Sequence, residues 1–512
     1  MATAGLNSWL SVDLAPRRSR AARVCVLPTL QPDAAGEYWC DLGAASEQLP
    51  HFWEHTVGSC HATLALRADW QAQLARAHRQ LGFEHVRFHG ILDDDMGTLV
   101  CQDERLVYSF FNADQIMDFL LSLGMRPFVE LSFMPATLSS AGNTVFRYRG
   151  NITLPRDLNA WETLIARLVG HWFERYGRDE LRHWYFEVWN EPNLPAFFTG
   201  RQEDYFALYR AAAGAIKAVD PQLRVGGPAT AANAWLTEFL TFCEKQGVPA
   251  DFVSTHHYPT DAFGRPGEDT ETQLAASPRS ALREEARRAR AQVGQRPLYY
   301  TEWSTSSNGR DPLHDESYAA SFIVKTVLEA RGLVQGYSYW TFTDIFEEDY
   351  FPSRPFHGGF GLLTLHGVAK PAYRAFELLH QVGRELIPVL GVHPTVDCWV
   401  IRERESIAVL LTNYAQPRHA IATETVRVSL VNCKAQSAQI RRIDNEHANP
   451  KRLWLDMGAP EYLNPRQVAA LHAASRCVAR GLRLDADGNG IGSFKVTLPP
   501  LSVACVCLQM QA

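Results

Sequence analysis

Between about residue 50 and residue 385 the chain keeps one rhythm: a short apolar, β-branched or aromatic run, then a longer segment of helical period. The runs are HFWEHTVG (51–58), EHVRFHG (84–90), RPFVELS (126–132), WYFEVWNEP (184–192), LRVGGP (223–228), DFVSTHHY (251–258), PLYYTEW (297–303) and GYSYWTF (336–342). Between and after them the spacing predicts helices over Asp69–Leu81, Ala113–Leu123, Asp157–Tyr176, Glu203–Val219, Asn233–Gln246, Ser280–Val293, Asp315–Arg331 and Pro371–Leu379. In Asp157–Tyr176, for example, Trp161, Leu164, Ile165 and Leu168 share one face. Strands buried on both faces and alternating with helices form a parallel sheet. Eight such units predict an α/β fold, a (β/α)8 TIM barrel. The alternative, a doubly wound open sheet, lacks a glycine-rich phosphate turn after its first strand. The cluster GGFGLL (358–363) lies far from that position and reads as a loop.

After residue 385 the pattern changes. Alternating runs appear at CWVIRER (398–404), SIAVLLTNY (406–414), VRVSLVN (426–432), AQIRRID (438–444), FKVTL (494–498) and VACVCLQ (503–509), with one short helix expected at Pro465–Ala474. This predicts a C-terminal antiparallel β-sandwich accessory domain. The expected division is 1–45, N-terminal strands joining the sandwich through VDL and ARVCVL; 46–385, the barrel; and 386–512, the sandwich.

Fifty basic against 56 acidic residues leave a net charge of −6, which gives no case for nucleic acid or an anionic membrane as partner. The N-terminus shows no continuous apolar segment ahead of its basic cluster, and no run approaches a membrane span of ~20 residues, so a cytoplasmic location is expected. The ten cysteines show no metal-site spacing and read as reduced thiols; Cys505 and Cys507 are expected to lie buried on one strand face. Aromatic residues reach 11%, with 13 Trp, and Trp53, Trp189, Trp303 and Trp340 fall where strand ends would line a barrel mouth. Such a mouth suits the apolar faces of sugar rings.

In this barrel class the chemistry sits at the C-terminal ends of strands. Strand four ends in Trp189-Asn190-Glu191-Pro192 and strand seven in Thr301-Glu302-Trp303, so each delivers one carboxylate to the same rim. Cleaving a glycosidic bond needs two: one protonates the leaving oxygen, the other attacks the anomeric carbon or activates water. Glu54 and Glu130 also fall on the predicted strands, either as supports for the site or as buried structural acids. Asp93-Asp94-Asp95 reads as a loop whose acids bond backbone or substrate. Asp485-Ala486-Asp487-Gly488-Asn489-Gly490 imitates a calcium loop but has Val496 at its twelfth position, so it reads as a turn. No metal or cofactor is expected; His256 and His257 are adjacent on a strand and point to opposite faces.

HFWEHTVGSC, RFHGILDDDMG, RPFVELSFMP, HWYFEVWNEPNL, LRVGGPAT, DFVSTHHYPTD and GYSYWTFTDIFEE together resemble glycoside hydrolase family 39, which contains β-xylosidases and α-L-iduronidases. The resemblance implies Glu191 as general acid/base and Glu302 as nucleophile in a retaining double displacement. It implies Asn190 on the sugar 2-hydroxyl, and His89, His256 and Tyr258 lining the sugar subsite, with Tyr258 beside Glu302 holding its carboxylate ionised. Trp340 would be the platform under the ring, Glu347 and Glu348 would bind hydroxyls, and Phe197 would border the leaving-group side.

An iduronidase must hold a substrate carboxylate through Lys or Arg. Two acids, Glu347 and Glu348, instead favour a neutral sugar: an exo-acting β-D-xylosidase on xylo-oligosaccharides, with α-L-arabinosides as a side reaction. Two other classes stand beside this reading. One is a sugar-binding barrel without chemistry. The other is a metal-dependent hydrolase, for which the sequence shows no convergent ligand set.

Overall fold

The computed structural model describes residues 36–260, 269–404, 406–486 and 490–510. The VDL and ARVCVL segments and residues 487–489 of the calcium-loop imitation lie outside these.

The eight runs form one closed barrel of parallel strands: Thr56–His61, Arg126–Leu131 and His85–His89 on one side, Tyr185–Val188, Arg224–Thr230 and Phe252–His256 across from them, then Leu298–Trp303 and Gly336–Tyr339. Strand four pairs with strand three and strand eight pairs back onto strand one. The period of two puts one set of side chains inside: His85, Arg87 and His89 from strand two, Phe128 and Glu130 from three, Tyr185 and Glu187 from four, Phe252, Ser254 and His256 from six. Phe128, Tyr185, Phe252 and Tyr299 close the N-terminal end of the barrel as one ring cluster. The layer above is charged, where barrels of this class commonly carry branched aliphatics.

Seven of the runs place their strands where the sequence predicts. The first differs. HFWEHTVG begins with a 3-10 turn, Phe52–Glu54, and the strand starts only at Thr56. The Glu54 carboxylate faces His51 Nδ1 at 2.7 Å and His380 Nδ1 at 2.9 Å, tying this turn to the end of the helix Pro371–His380. Trp53 and Glu54 therefore precede strand one, at the barrel end opposite the mouth. The eight predicted helices are present within a few residues at each end. The longest, Leu158–Tyr176, is capped by Asp157, whose side chain accepts the Asn159 N–H.

The C-terminal runs form two facing sheets. One has the order Glu37–Asp41, Glu424–Val431, Ile491–Leu498, Asp485–Ala486; Glu37–Asp41 pairs in parallel with Glu424–Val431. The other runs Glu47–Gln48, Glu385–Ile387, Val396–Glu403, Ser406–Asn413, Ser502–Met510, Ala435–Ile443, Arg480–Leu482. Val400, Val409, Leu411, Val428, Phe494 and Val506 fill the space between them. The helix Pro465–Ala474 is present, with an unpredicted partner at Pro450–Asp456. Cys505 is buried but Cys507 is exposed, since the face they share leaves the barrel wall before it reaches Cys507. No helix of the described residues is long and apolar enough to cross a membrane.

The long segment after strand eight runs over the mouth. Its anchor is Lys370, wholly buried, with Nζ 2.7 Å from Asp315 Oδ1, 2.7 Å from Asp344 Oδ2 and 2.9 Å from the Gly359 carbonyl. The two carboxylates in turn accept the N–H groups of Gly358 and Gly361 at 2.8 Å. A Cβ on Gly361 would stand 2.2 Å from the Asp344 nitrogen, which is why the GGFGLL loop needs glycine there. Removing one partner of a buried ion cluster strands the other charges. Lys370→Met is expected to cost about 3–5 kcal/mol in urea denaturation.

Candidate active site

The centre of the barrel is organised by Arg87. Its guanidinium is fully buried; Nε donates to Glu187 Oε2 at 2.6 Å and Nη1 to Glu302 Oε1 at 2.7 Å. Nη2 lies 2.7 Å from Glu130 Oε2 and 2.9 Å from Asn190 Oδ1. One cation thus fixes groups from strands three, four and seven in a single plane of donors.

Glu302 reaches the mouth because of an irregularity. Thr301 points inward and donates to Glu187, so its neighbour should point out. The register shifts between Thr255 and His256 on one side and between Tyr300 and Trp303 on the other, and this turns Glu302 inward. Its second oxygen accepts the Tyr258 O–H at 2.9 Å. Glu191 is turned in by a different device. Trp189 (φ 72°) and Glu191 (φ 43°) are both left-handed, an arrangement that costs energy in non-glycine residues and concentrates at functional sites. The Glu191 N–H donates to the Ala229 carbonyl at 2.8 Å, holding the turn.

The two carboxylates approach with oxygens within 4.8 Å of each other. Their surroundings separate them. Burial first, and then the negative charge of Glu302, push the Glu191 carboxyl well above the ordinary carboxylate range. Burial lowers His256 well below the ordinary histidine value, aided by Arg87 and His89, so its imidazole is neutral. The Thr301 hydroxyl gives its proton to Glu187 and so accepts from His256 Nε2, 3.1 Å away. That leaves the His256 Nδ1 lone pair facing Glu191 Oε1 at 2.9 Å. The contact is a hydrogen bond when Glu191 carries the proton.

His89 Nδ1 meets Glu130 Oε2 at 2.8 Å, while its Nε2 faces the cavity, 3.8 Å from Glu302 Oε1 and 3.9 Å from Glu348 Oε1. Glu130 is held below the usual carboxylate range: burial opposes this, but Arg87 and His89 outweigh it. Burial and the charge of Glu302 raise Glu348 well above it. The Trp340 ring lies 4.8 Å from that of His89. Gly58 makes room for it, since a Cβ there would stand 2.5 Å from Trp340 Cε3.

A cavity of about 1030 Å³ opens above these groups. His89, Asn190, Glu191, Phe197, Tyr258, Glu302, Trp340 and Glu348 line it. Two expected lining residues do not. His256 sits behind Glu191, fully buried. Glu347 turns away, 3.6 Å from His61 Nε2, a ring that also meets Asp95 at 3.2 Å and stacks on Tyr148. Of the four tryptophans expected at the mouth, only Trp340 lines the cavity. Trp189 donates to the Phe197 carbonyl and packs on Phe133, and Trp303 stacks on Tyr337 at 4.3 Å. Asp93 and Asp94 accept the N–H groups of Phe133 and Ala136.

Arg87, Glu187 and Phe146 join the site without being marked by the motifs or by the strand-end rule. Phe146, from the loop after strand three, lines the cavity 5.4 Å from Phe197. Arg87 and Glu187 carried a readable signal: ionisable residues at inward positions of buried strands, two residues from His89 and four from Glu191. Among the described residues the structure also brings together two sets of three donors, which the sequence did not suggest: Glu191–His256–Glu302 and His51–Glu54–His380. In the first, Arg87 and Tyr258 take the two oxygens of Glu302, Thr301 meets His256 Nε2, and His256 Nδ1 faces Glu191 Oε1.

Arg87→Met is expected to cost about 3–5 kcal/mol at pH 7, because it strands buried carboxylates. The deficit should shrink as pH falls and those carboxylates take up protons, which urea denaturation at several pH values would read.

The sequence profile of glycosyl hydrolases family 39 matches residues 40–489. A beta-xylosidase of Caldicellulosiruptor saccharolyticus is 48% identical over 466 residues, covering 90% of this chain and 95% of the relative. A beta-xylosidase of Geobacillus stearothermophilus is 36% identical over 457 residues, covering 86% and 90%. The crystal structure of the GH39 enzyme from Xanthomonas axonopodis pv. citri superposes with a TM-score of 0.84 at 38% identity, covering 93% of this chain and 98% of that one. With its barrel, its sandwich and its paired carboxylates, this chain belongs to glycosyl hydrolases family 39.

Proposed function

We propose that the protein is a retaining, exo-acting β-D-xylosidase that releases xylose from the non-reducing ends of xylo-oligosaccharides. The observation that carries this reading is the carboxylate pair. One oxygen of Glu191 lies within 4.8 Å of one oxygen of Glu302. Retaining glycosidases hold their carboxyls ~5–5.5 Å apart, and inverting ones ~6.5–9.5 Å to admit a water.

Glu302 is the nucleophile. Arg87 and Tyr258 donate to its two oxygens and aim it. It attacks the anomeric carbon and forms the glycosyl–enzyme. Glu191, protonated and hydrogen-bonded to His256, gives its proton to the leaving oxygen; as a carboxylate it then draws a proton from the water that releases the sugar. Asn190, its Oδ1 held by Arg87, offers its amide N–H to the 2-hydroxyl. Trp340 lies under the ring, and His89, Glu348 and Tyr258 meet hydroxyls. His256 orients the acid/base from behind. Phe197 borders the leaving group.

The sugar assignment rests on the two relatives above and on the lining. Arg310 is the only Arg or Lys among the described cavity residues. It is engaged at the outer rim by Asp349 at 3.1 Å and by the Tyr350 ring at 3.9 Å. Arg87, buried behind Glu302, is engaged by Glu130, Glu187, Glu302 and Asn190, so among the described residues no cation faces the cavity beside Glu302 and Trp340 to take a uronate. Glu347 turns away, so Glu348 alone supplies the acid expected of the pair. The described cysteines are free, in keeping with a reducing, cytoplasmic setting.

A panel of chromogenic glycosides tests the sugar. β-Xyloside is expected to turn over fastest, with slower α-L-arabinoside; faster α-L-iduronide or β-glucoside would overturn the assignment. Proton NMR should show the β-anomer of xylose first. Glu302→Ala should abolish turnover, with azide restoring it as the α-glycosyl azide. Glu191→Ala should lose about 10²–10⁴-fold on poor leaving groups and far less on activated ones.

The pH profile follows from the sign of the Glu191 shift. A raised carboxyl keeps its proton at neutral pH and loses it as pH rises. The alkaline limb of kcat/KM should therefore report Glu191, and on an activated substrate it should disappear in Glu191→Gln.

A further inference from the structure

On the strand Ser502–Met510, far along the chain from every residue of the site, two thiols stand side by side. Cys505 Sγ and Cys507 Sγ are 3.7 Å apart, within sulfur hydrogen-bond reach. Cys505 is buried against the barrel, and Cys507 is exposed. The strand is central in the seven-stranded sheet. Ala408 and Gln439 flank Cys507, and Arg441 is the cross-strand partner of Cys505. A buried thiol, an exposed one and a cation are therefore held together by a rigid ladder.

We propose that Cys505 and Cys507 form a redox-active dithiol that hydroperoxides convert to an intramolecular disulfide and small thiols reopen. The exposed member is the one that reacts first. The Cys505 thiol donates to it and holds it lower than an ordinary cysteine, at about 7; burial opposes this and Arg441 assists. At neutral pH a large share is thiolate, the reactive form.

The chemistry balances in two steps. The Cys507 thiolate attacks the terminal oxygen of the hydroperoxide; the O–O bond breaks, an alkoxide (hydroxide, for hydrogen peroxide) leaves and takes up a proton, and Cys507 becomes a sulfenic acid. Cys505 then attacks Cys507 Sγ; the S–S bond forms, the S–O bond breaks, and the hydroxyl departs as water with the Cys505 proton. Two thiols lose two electrons, and one hydroperoxide becomes one alcohol and one water. Two molecules of a small thiol reverse this by exchange, leaving as their own disulfide.

The geometry makes the bridge labile. Residues two apart on a strand have Cα atoms about 6.6 Å apart at a rise of ~3.3 Å per residue. Disulfides usually span ~4.4–6.8 Å, so this one forms at the upper edge of the range and under strain, and strained disulfides are readily reduced. Closing it draws the two Cα atoms together and bends the strand where it pairs with Ser406–Asn413 and Ala435–Ile443. The oxidised sandwich is therefore looser than the reduced one, while the barrel mouth is untouched.

The test treats the full-length protein with hydrogen peroxide, blocks remaining thiols with iodoacetamide and maps peptides by mass spectrometry. The expected result is loss of two hydrogens from the peptide containing both cysteines, protection of both from alkylation, recovery with dithiothreitol, and a Tm several degrees lower in the oxidised form. Cys507→Ser should show no peroxide-dependent Tm change. Cys505→Ser, with no resolving thiol, should carry Cys507 on to the sulfinic acid. The proposal is overturned if peroxide leaves both thiols alkylatable, if either pairs with a different cysteine, or if the Tm shift persists in Cys507→Ser.

Discussion

The site depends on a single buried guanidinium. Three carboxylates, from Glu130, Glu187 and Glu302, and the Asn190 amide converge on Arg87 inside the barrel. Carboxylates that close repel each other, and in a low-dielectric interior the repulsion is strong. The planar fork of arginine answers several of them at fixed angles, which a lysine ammonium does not. One cation does not neutralise this whole group together with Glu191. The surplus is relieved by protons, and burial raises a carboxyl wherever its cationic partners do not outweigh it. Glu191 is raised by burial and by Glu302, and Glu187 by burial even though Arg87 touches it, while Glu130, held by both Arg87 and His89, is lowered despite its burial. Glu302, held by Arg87 and Tyr258, and Glu191, which meets His256 instead, thus face each other from unlike surroundings.

The roof of the site depends on a second buried cation of the same kind. Lys370 gathers Asp315 and Asp344, and those carboxylates hold the glycine-rich backbone that returns from the mouth. The sandwich braces the same segment from outside. Phe356 and Val368 pack with Trp454 and Leu471 of the helical pair in the C-terminal region, and Ser353 donates to Glu461 at 2.6 Å. Arg279 ties the barrel to Asp397 of the sheet. Through these contacts the C-terminal region helps to hold the segment that carries Glu348.

Much of this was legible in the sequence, for physical reasons. Parallel strands buried on both faces must be apolar, and helices must be periodic, so the barrel could be counted from the runs at 84–90 through 336–342. The first run misled, because Phe52, Trp53 and Glu54 have strand-like composition but are drawn into a turn by His51 and His380, the latter over three hundred residues away. Tryptophan content suggested a stacked sugar mouth; Trp189 and Trp303 instead pack into the wall. Glu302 is expected at the rim from its place at the end of strand seven, yet strict alternation points it outward. The register shifts that turn it inward arise from pairing with strands six and eight, which local sequence does not encode. Cys507 is exposed where burial is expected, because strand period fixes a face but not where the covering element ends.

The displaced tryptophans explain how a polar interior is tolerated. A barrel whose middle layer is Arg87, Glu130, Glu187 and Thr301 forgoes the aliphatic packing that usually fills that space. The apolar burial moves outward, to the layer between strands and helices. There Trp303 lies flat on Tyr337, and Trp189 meets Phe133, Trp161 and Phe198 edge-on. Both tryptophans directly flank the functional backbone: Trp189 precedes Asn190, and Trp303 follows Glu302. Their rings are buried to completion, so the strained φ angles at Trp189 and Glu191 cannot relax without lifting a large aromatic out of its socket. Aromatic packing outside the barrel thus holds the left-handed turn, and the turn holds Glu191 within reach of Glu302.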